Sequence, residues 1–191
     1  MNIFVLDRDP VIAAQLQCDK HVVKMIVESA QMLSTAHRLL DGTMHETKKY
    51  VAGSLPARWR KGKEWLLSNP EKEAKFYKAV HMHHPCTIWT MESIINYEWH
   101  HQHFDALCSE YTYRYGKVHS SETLLLEDLI DPPKNIPDVP MTQFKLAMKS
   151  TPECMYPDDP VRSYQEFYQT KQGRFKMVWT KRNTPSWFVT K

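Results

Sequence analysis

Glycine is scarce in this chain, with 5 among 191 residues, and runs of alternating β-branched residues are few. Both absences argue against an all-β fold. No glycine-rich phosphate loop and no GxSxG elbow occurs, which argues against a nucleoside triphosphatase and a serine hydrolase. HExxH and paired CxxC motifs are missing too. The four cysteines (Cys18, Cys86, Cys108, Cys154) lie far apart and read as reduced packing thiols of a cytoplasmic protein. No membrane-spanning run, signal peptide, lipidation motif, internal repeat or low-complexity tract is visible, and the opening MNIFVLDRDP is short and acidic for a targeting segment.

What is present fits one globular domain: 42% hydrophobic and 25% charged residues, with ten Met, six Trp and nine Tyr for a soft, aromatic-rich interior or cleft. The net charge of +3 is too small to indicate nucleic-acid binding, but its distribution is uneven. Between residues 162 and 191 seven cations, among them Arg174, Lys181 and Arg182, face one acid, Glu166. The run Arg58-Trp59-Arg60-Lys61-Gly62-Lys63 adds four cations around an aromatic. Interleaved Arg, Lys and Trp suit a phosphate-lined surface with base stacking, and equally a merely solvated basic face.

The expected fold is all-α, a single-domain helical bundle with two long helices. Asp9-Pro10 caps and starts a helix that runs, with a kink near Cys18-Asp19, to Leu40, where Asp41-Gly42 stops it. Residues 43–70 form an irregular basic loop region with a short helix around 61–68. Asn69-Pro70 opens a helix through Val80. Pro85 begins the second long element, with 87–115 unbroken by Pro or Gly and ended by Gly116. A Pro-rich loop (128–141), a short helix at 142–149, and a basic C-terminal helix and tail (159–191), helical to about Lys181, complete the chain.

Within the first long helix, Gln17, His21, Lys24, Glu28, Gln31 and Thr35 fall in one wedge of about 80° on an otherwise apolar surface. Such a helix is buried with its polar line facing a cleft, or is a central helix with a solvated edge. Asn96, His100, His103, Glu110 and Arg114 form a similar line on the second helix. The two could meet across one pocket or be stitched together by buried hydrogen bonds. Metal chemistry has weaker support. His81, His83 and His84 cluster, and Glu98-x-x-His101 has di-iron spacing, but the second such motif a di-iron bundle needs is absent. Neither a metal nor another cofactor is expected.

The segment Asp19-Lys20-His21-Val22-Val23-Lys24-Met25-Ile26-Val27-Glu28 resembles a helix of the phage endonuclease V family of pyrimidine dimer DNA glycosylases. That family carries Asp-x-His and, seven residues after the His, a catalytic Glu. His84-Pro85-Cys86-Thr87-Ile88-Trp89 is similar to a later HP…W of bacterial relatives, and Pro185-Ser186-Trp187-Phe188 to the family's C-terminal Pro-x-Trp. The chain also resembles a group of proteins from tailed phages of marine bacteria, which implies the host cytoplasm during infection as its location.

The resemblance implies DNA repair. An all-helical enzyme kinks damaged duplex DNA and flips a nucleotide. An N-terminal amine attacks C1′ to form an imine, and β-elimination nicks the strand. An α-amine suits this role: with a pKa near 8 it is roughly 10% neutral at pH 7, against about 0.04% for an ordinary lysine. Carried over, Glu28 is the acid/base, the amine of Met1 the nucleophile, and His21 a positioning group. Gln17, Lys20, Lys24 and Gln31, with Asn96, His100, His103 and Arg114, would bind substrate. Arg58, Arg60, Lys61, Lys63, Arg174, Lys181, Arg182 and Trp187 would contact DNA. Two departures stand out. Asn2 is too large for Met1 to be removed, so the nucleophile shifts back one residue. Val27 and Gln31 replace the two arginines that flank the family's Glu. The other classes left open are a non-enzymatic nucleic-acid or nucleotide binder, and a base- or nucleotide-modifying hydrolase pairing Glu28 with His100 or His103.

Overall fold

A computed structural model describes residues 1–51 and 58–190; side chains from 49 to 60 lie outside that description. Asp9 caps α1 (Pro10–Gln15), its carboxylate accepting the N–H groups of Val11 and Ile12. The chain then breaks and restarts as α2 (Asp19–Asp41), instead of kinking within one helix. Competition for backbone groups explains the break. Asp19 N–H donates to Val178 O at 2.8 Å, and Gln15 O accepts from Arg114 Nη2 at 3.1 Å, so the i→i−4 bond between them is never made. α2 ends at Gly42, whose N–H donates to the Arg38 carbonyl, an approach so close that a Cβ there would collide with that oxygen.

The all-α expectation fails at residues 43–66. Strands β1 (Thr43–Val51) and β2 (Arg58–Leu66) form an antiparallel two-stranded sheet with Thr43 opposite Leu66, Lys48 opposite Lys61 and Val51 opposite Arg58. The fold is therefore mixed: mainly helical with one β-hairpin. The loop region and the short helix expected around 61–68 are replaced by strands. The pattern misled because neither face of this ribbon is apolar, so no period of two shows. The hairpin base is held by Arg38, which is fully buried and donates to the carbonyls of Trp65, Phe76, Tyr77 and Glu73 and to the Glu73 carboxylate at 2.6 Å.

Asn69 caps α3 (Pro70–Lys75), which ends before the expected Val80. The second long element is two helices, α4 (Pro85–Glu92) and α5 (Ile94–Tyr115). Ser93 adopts an extended conformation between them and caps Asn96 N–H at 3.0 Å. Gly116, at φ 64°, ends α5 in the left-handed region where glycine carries no penalty. After α6 (Ser120–Leu125) the Pro-rich segment is irregular. So is 142–149, where a helix was expected, because its backbone is spent elsewhere. Thr142 N–H goes to Asn96 Oδ1, and the Tyr164 hydroxyl accepts Ala147 N–H and donates to Lys145 O. α7 (Pro160–Gln169) continues only as a 3-10 turn over Thr170–Gly173, short of Lys181. The tail folds back, with Trp179 Nε1 donating to Leu16 O.

α2 packs against both α4 and α5, and α7 covers the N-terminal segment. Trp89, Tyr97, Phe104, Tyr164 and Tyr168 fill the core. Among the described residues no helix is long and apolar enough to cross a membrane.

Candidate active site

The first six residues run as a thread outside helix and strand, buried from Asn2 to Leu6. Ile3 N–H donates to Cys86 Sγ in α4, Gln165 of α7 donates to Leu6 O, and Phe4 stacks on His21 of α2 at 4.7 Å. The thread brings the chain start onto Glu28. Asn2 N–H donates to Glu28 Oε2 at 3.0 Å, and the terminal amine of Met1 lies 3.4 Å from the same oxygen. Lys24, one turn earlier on α2, reaches Glu28 Oε1 at 3.2 Å. The Met1 side chain is 3% exposed and its sulfur receives the Thr87 hydroxyl, so Met1 is part of the folded body.

These groups open onto a cleft of about 270 Å³. His21, Lys24 and Glu28 line it from α2, Phe167 from α7, and Lys171, Arg174 and Phe175 from the segment that follows. Lys20 sits nearby, its Nζ 4.8 Å from the Phe175 ring centre. Among the described residues, Lys24, Lys171, Arg174 and the Met1 ammonium line the cleft against one carboxylate, with Lys20 beside it, which makes the cleft a place for an anion.

His21 is buried, and its Nδ1 lies 2.7 Å from the Tyr168 hydroxyl. That oxygen also accepts Cys18 N–H; when it gives its own proton to Nδ1, the neutral ring carries its hydrogen on Nε2. Burial, aided by Lys24 and Lys171, pushes the His21 pKa down to about 4. At neutral pH His21 is an uncharged donor and not a phosphate-pairing cation. Lys171 is only 8% exposed and lies with its Nζ 3.3 Å from the Phe167 ring centre. Burial, then Arg174 and Lys24, lower its pKa to about 8, with Cys154 opposing.

The two polar lines do not share this cleft. Of the α2 line, His21, Lys24 and Glu28 line it, while Gln17 turns into the core and pairs with His103 at 3.1 Å. Gln31 lies outside the lining. The α5 line stitches the core together. Asn96 bonds Trp89 O and Thr142, His100 bonds the Thr90 hydroxyl, and Arg114 bonds Asp19 and Glu110. Asn96, His100, His103 and Arg114 are therefore placed as packing groups away from the cleft. The pairing of Glu28 with His100 or His103 is not made.

The expected DNA contacts also divide. Arg174 is at the cleft, and Lys61 and Lys63 are exposed on β2. Lys181 is exposed but caps Tyr113 O, Arg182 is tied to buried Glu110 at 2.8 Å, and Trp187 packs edge-on against Tyr168. The side chains of Arg58 and Arg60 lie outside the described residues. Glu98 points to solvent while His101 bonds Leu126 O, and among the described residues no group of three or more His, Cys, Asp or Glu side chains converges to hold a metal.

In the sequence Lys171 stands only as one of the seven cations of residues 162–191, and Tyr168 only as part of the stripe of the last helix. The Phe167-x-x-x-Lys171 spacing was the available signal for the lysine. No protein-family model matches the chain, and no curated protein and no solved structure matches it.

Proposed function

We propose that this protein is a DNA base-excision enzyme, a glycosylase and abasic-site lyase for pyrimidine-dimer-type damage, with the Met1 α-amine as nucleophile and Glu28 as acid/base. The supporting observation is the 3.4 Å approach of that amine to Glu28 Oε2 inside a cationic cleft. The amine attacks C1′ of the flipped nucleotide as the base departs. Glu28 protonates the ring oxygen and later removes the C2′ proton, and the 3′-phosphate leaves. Lys24 and Arg174 hold backbone phosphates, and neutral His21 donates from Nε2. The hairpin carries six cations against two acids, more net charge than the whole chain, which suits a second contact on the duplex. The expected location is the host cytoplasm.

Borohydride added during reaction with a dimer-containing or abasic duplex should trap a covalent adduct on the Met1 peptide. One observation favours a second reading, a binder without turnover. Asn2 N–H and the Met1 ammonium already satisfy Glu28, an arrangement complete without substrate. Salt-sensitive binding with no trapped adduct would select that reading.

A further inference from the structure

A buried lysine ordinarily has a carboxylate beside it. Lys171 has none within ion-pair distance among the described residues. Its buried ammonium meets the face of Phe167 and shares the cleft with three more cations, Lys24, Arg174 and the Met1 ammonium. Lys24 differs in kind: its side chain is 63% exposed and is paired with Glu28. A desolvated amine among cations is the setting in which lysine loses its proton and becomes a nucleophile. Among the described residues, Glu28 is the one carboxylate lining the same cleft.

We propose that Lys171 is a second carbonyl-capturing amine of this cleft, and that its ligand class is an aldehyde carrying phosphate, with Lys24 and Arg174 holding the phosphate. The inference rests on the base-excision reading only for one source of that chemistry, the ring-opened deoxyribose of an abasic site. A small phosphorylated aldehyde is the other source. In either case the neutral amine adds its electron pair to the carbonyl carbon, giving a carbinolamine. A proton from solvent lets the carbinolamine hydroxyl leave as water, which leaves a protonated imine. On deoxyribose the C2′ proton departs to a base and the 3′-phosphate leaves with the electron pair of the C3′–O bond. Borohydride would instead deliver hydride to the imine carbon and fix the adduct as a secondary amine.

At a pKa of about 8, roughly 10% of Lys171 is neutral at pH 7, more than a hundredfold above an ordinary lysine. The test treats the intact protein with limiting pyridoxal 5′-phosphate, then borohydride, and maps the label by peptide mass. The expected result is dominant labelling of Lys171, suppressed by inorganic phosphate, with an inflection near pH 8. Lys171→Arg, which keeps the charge but cannot form the imine, should lose that label. Label spread over exposed lysines such as Lys20, Lys61 and Lys63, or confined to Met1, would overturn the inference. A second arm mixes protein acetylated at Met1 with an intact abasic duplex and adds borohydride during the reaction. An adduct on Lys171 identifies DNA as the source. Labelling by pyridoxal phosphate without a DNA adduct assigns the site to small phosphorylated aldehydes and the Lys171 inference stands; the base-excision reading, which rests on Met1, falls only if the unblocked protein also gives no DNA adduct.

Discussion

Replacing Glu28 with Gln should separate chemistry from binding in opposite directions. The amide keeps the size of the carboxylate, and its oxygen can still accept Asn2 N–H, now 3.0 Å away, so the thread stays in place. Proton transfer is lost, and removing general acid–base help costs on the order of 10²–10⁴-fold in the chemical step. The same change deletes the one carboxylate of a cleft lined by Lys24, Lys171, Arg174 and the terminal amine. A phosphate about 6 Å from that carboxylate is repelled by about 0.7 kcal/mol at the dielectric constant of water, so low-salt DNA affinity should rise roughly threefold. Single-turnover cleavage of an abasic duplex gives the first quantity, and fluorescence anisotropy with the same duplex at low salt gives the second. Unchanged cleavage would remove Glu28 from the chemistry. Cleavage and affinity falling together would mean that Glu28 only holds the fold.

Arg38→Met should cost about 3–5 kcal/mol, because it leaves the Glu73 carboxylate and several buried carbonyls without a donor. A urea midpoint within experimental error of the parent would refute that. Burial resists ionisation of Glu73, but the hydrogen bonds from Arg38, Leu67 and Lys78 hold its pKa at about 2, so its contribution is complete above about 4.5 and lost as pH falls towards 2. His21 and His37, both held to about 4 chiefly by burial, bind protons more readily when unfolded, so the melting temperature should fall from about pH 6.5 towards pH 4 before Glu73 contributes. A flat melting temperature across that window would contradict their neutral burial. Lys61→Gln with Lys63→Gln should reduce the log–log salt slope of duplex binding by about 1.8. Arg182→Ala, which unties Glu110, should lower stability and leave that slope unchanged.

The helix starts were legible because Asp9, Asn69 and Asp159 each stand before a proline and each caps its helix as that pairing requires. Helix ends were less so, since side chains distant in sequence decide them. Arg114 and Val178 divide α1 from α2, and Asn96 and Tyr164 keep 142–149 irregular. The hairpin was hidden by charge, which carries no period when both faces are polar. In the site, the His21–Lys24–Glu28 line was visible as polar groups on an apolar helix. The α5 line looked alike but bonds inward, because a helical period shows which residues share a face, not what that face meets. Lys171 was hidden in a basic segment whose other cations, such as Lys176 and Lys181, are exposed.

The most direct measurement is peptide mapping of the adduct trapped by borohydride when the intact protein meets an abasic duplex. An amine of the Glu28 cleft acting as nucleophile predicts the DNA remnant on the Met1 peptide, with acetylation of that amine removing it from that position. No adduct at all, or an adduct on a lysine outside the cleft such as Lys61 or Lys63, would contradict it.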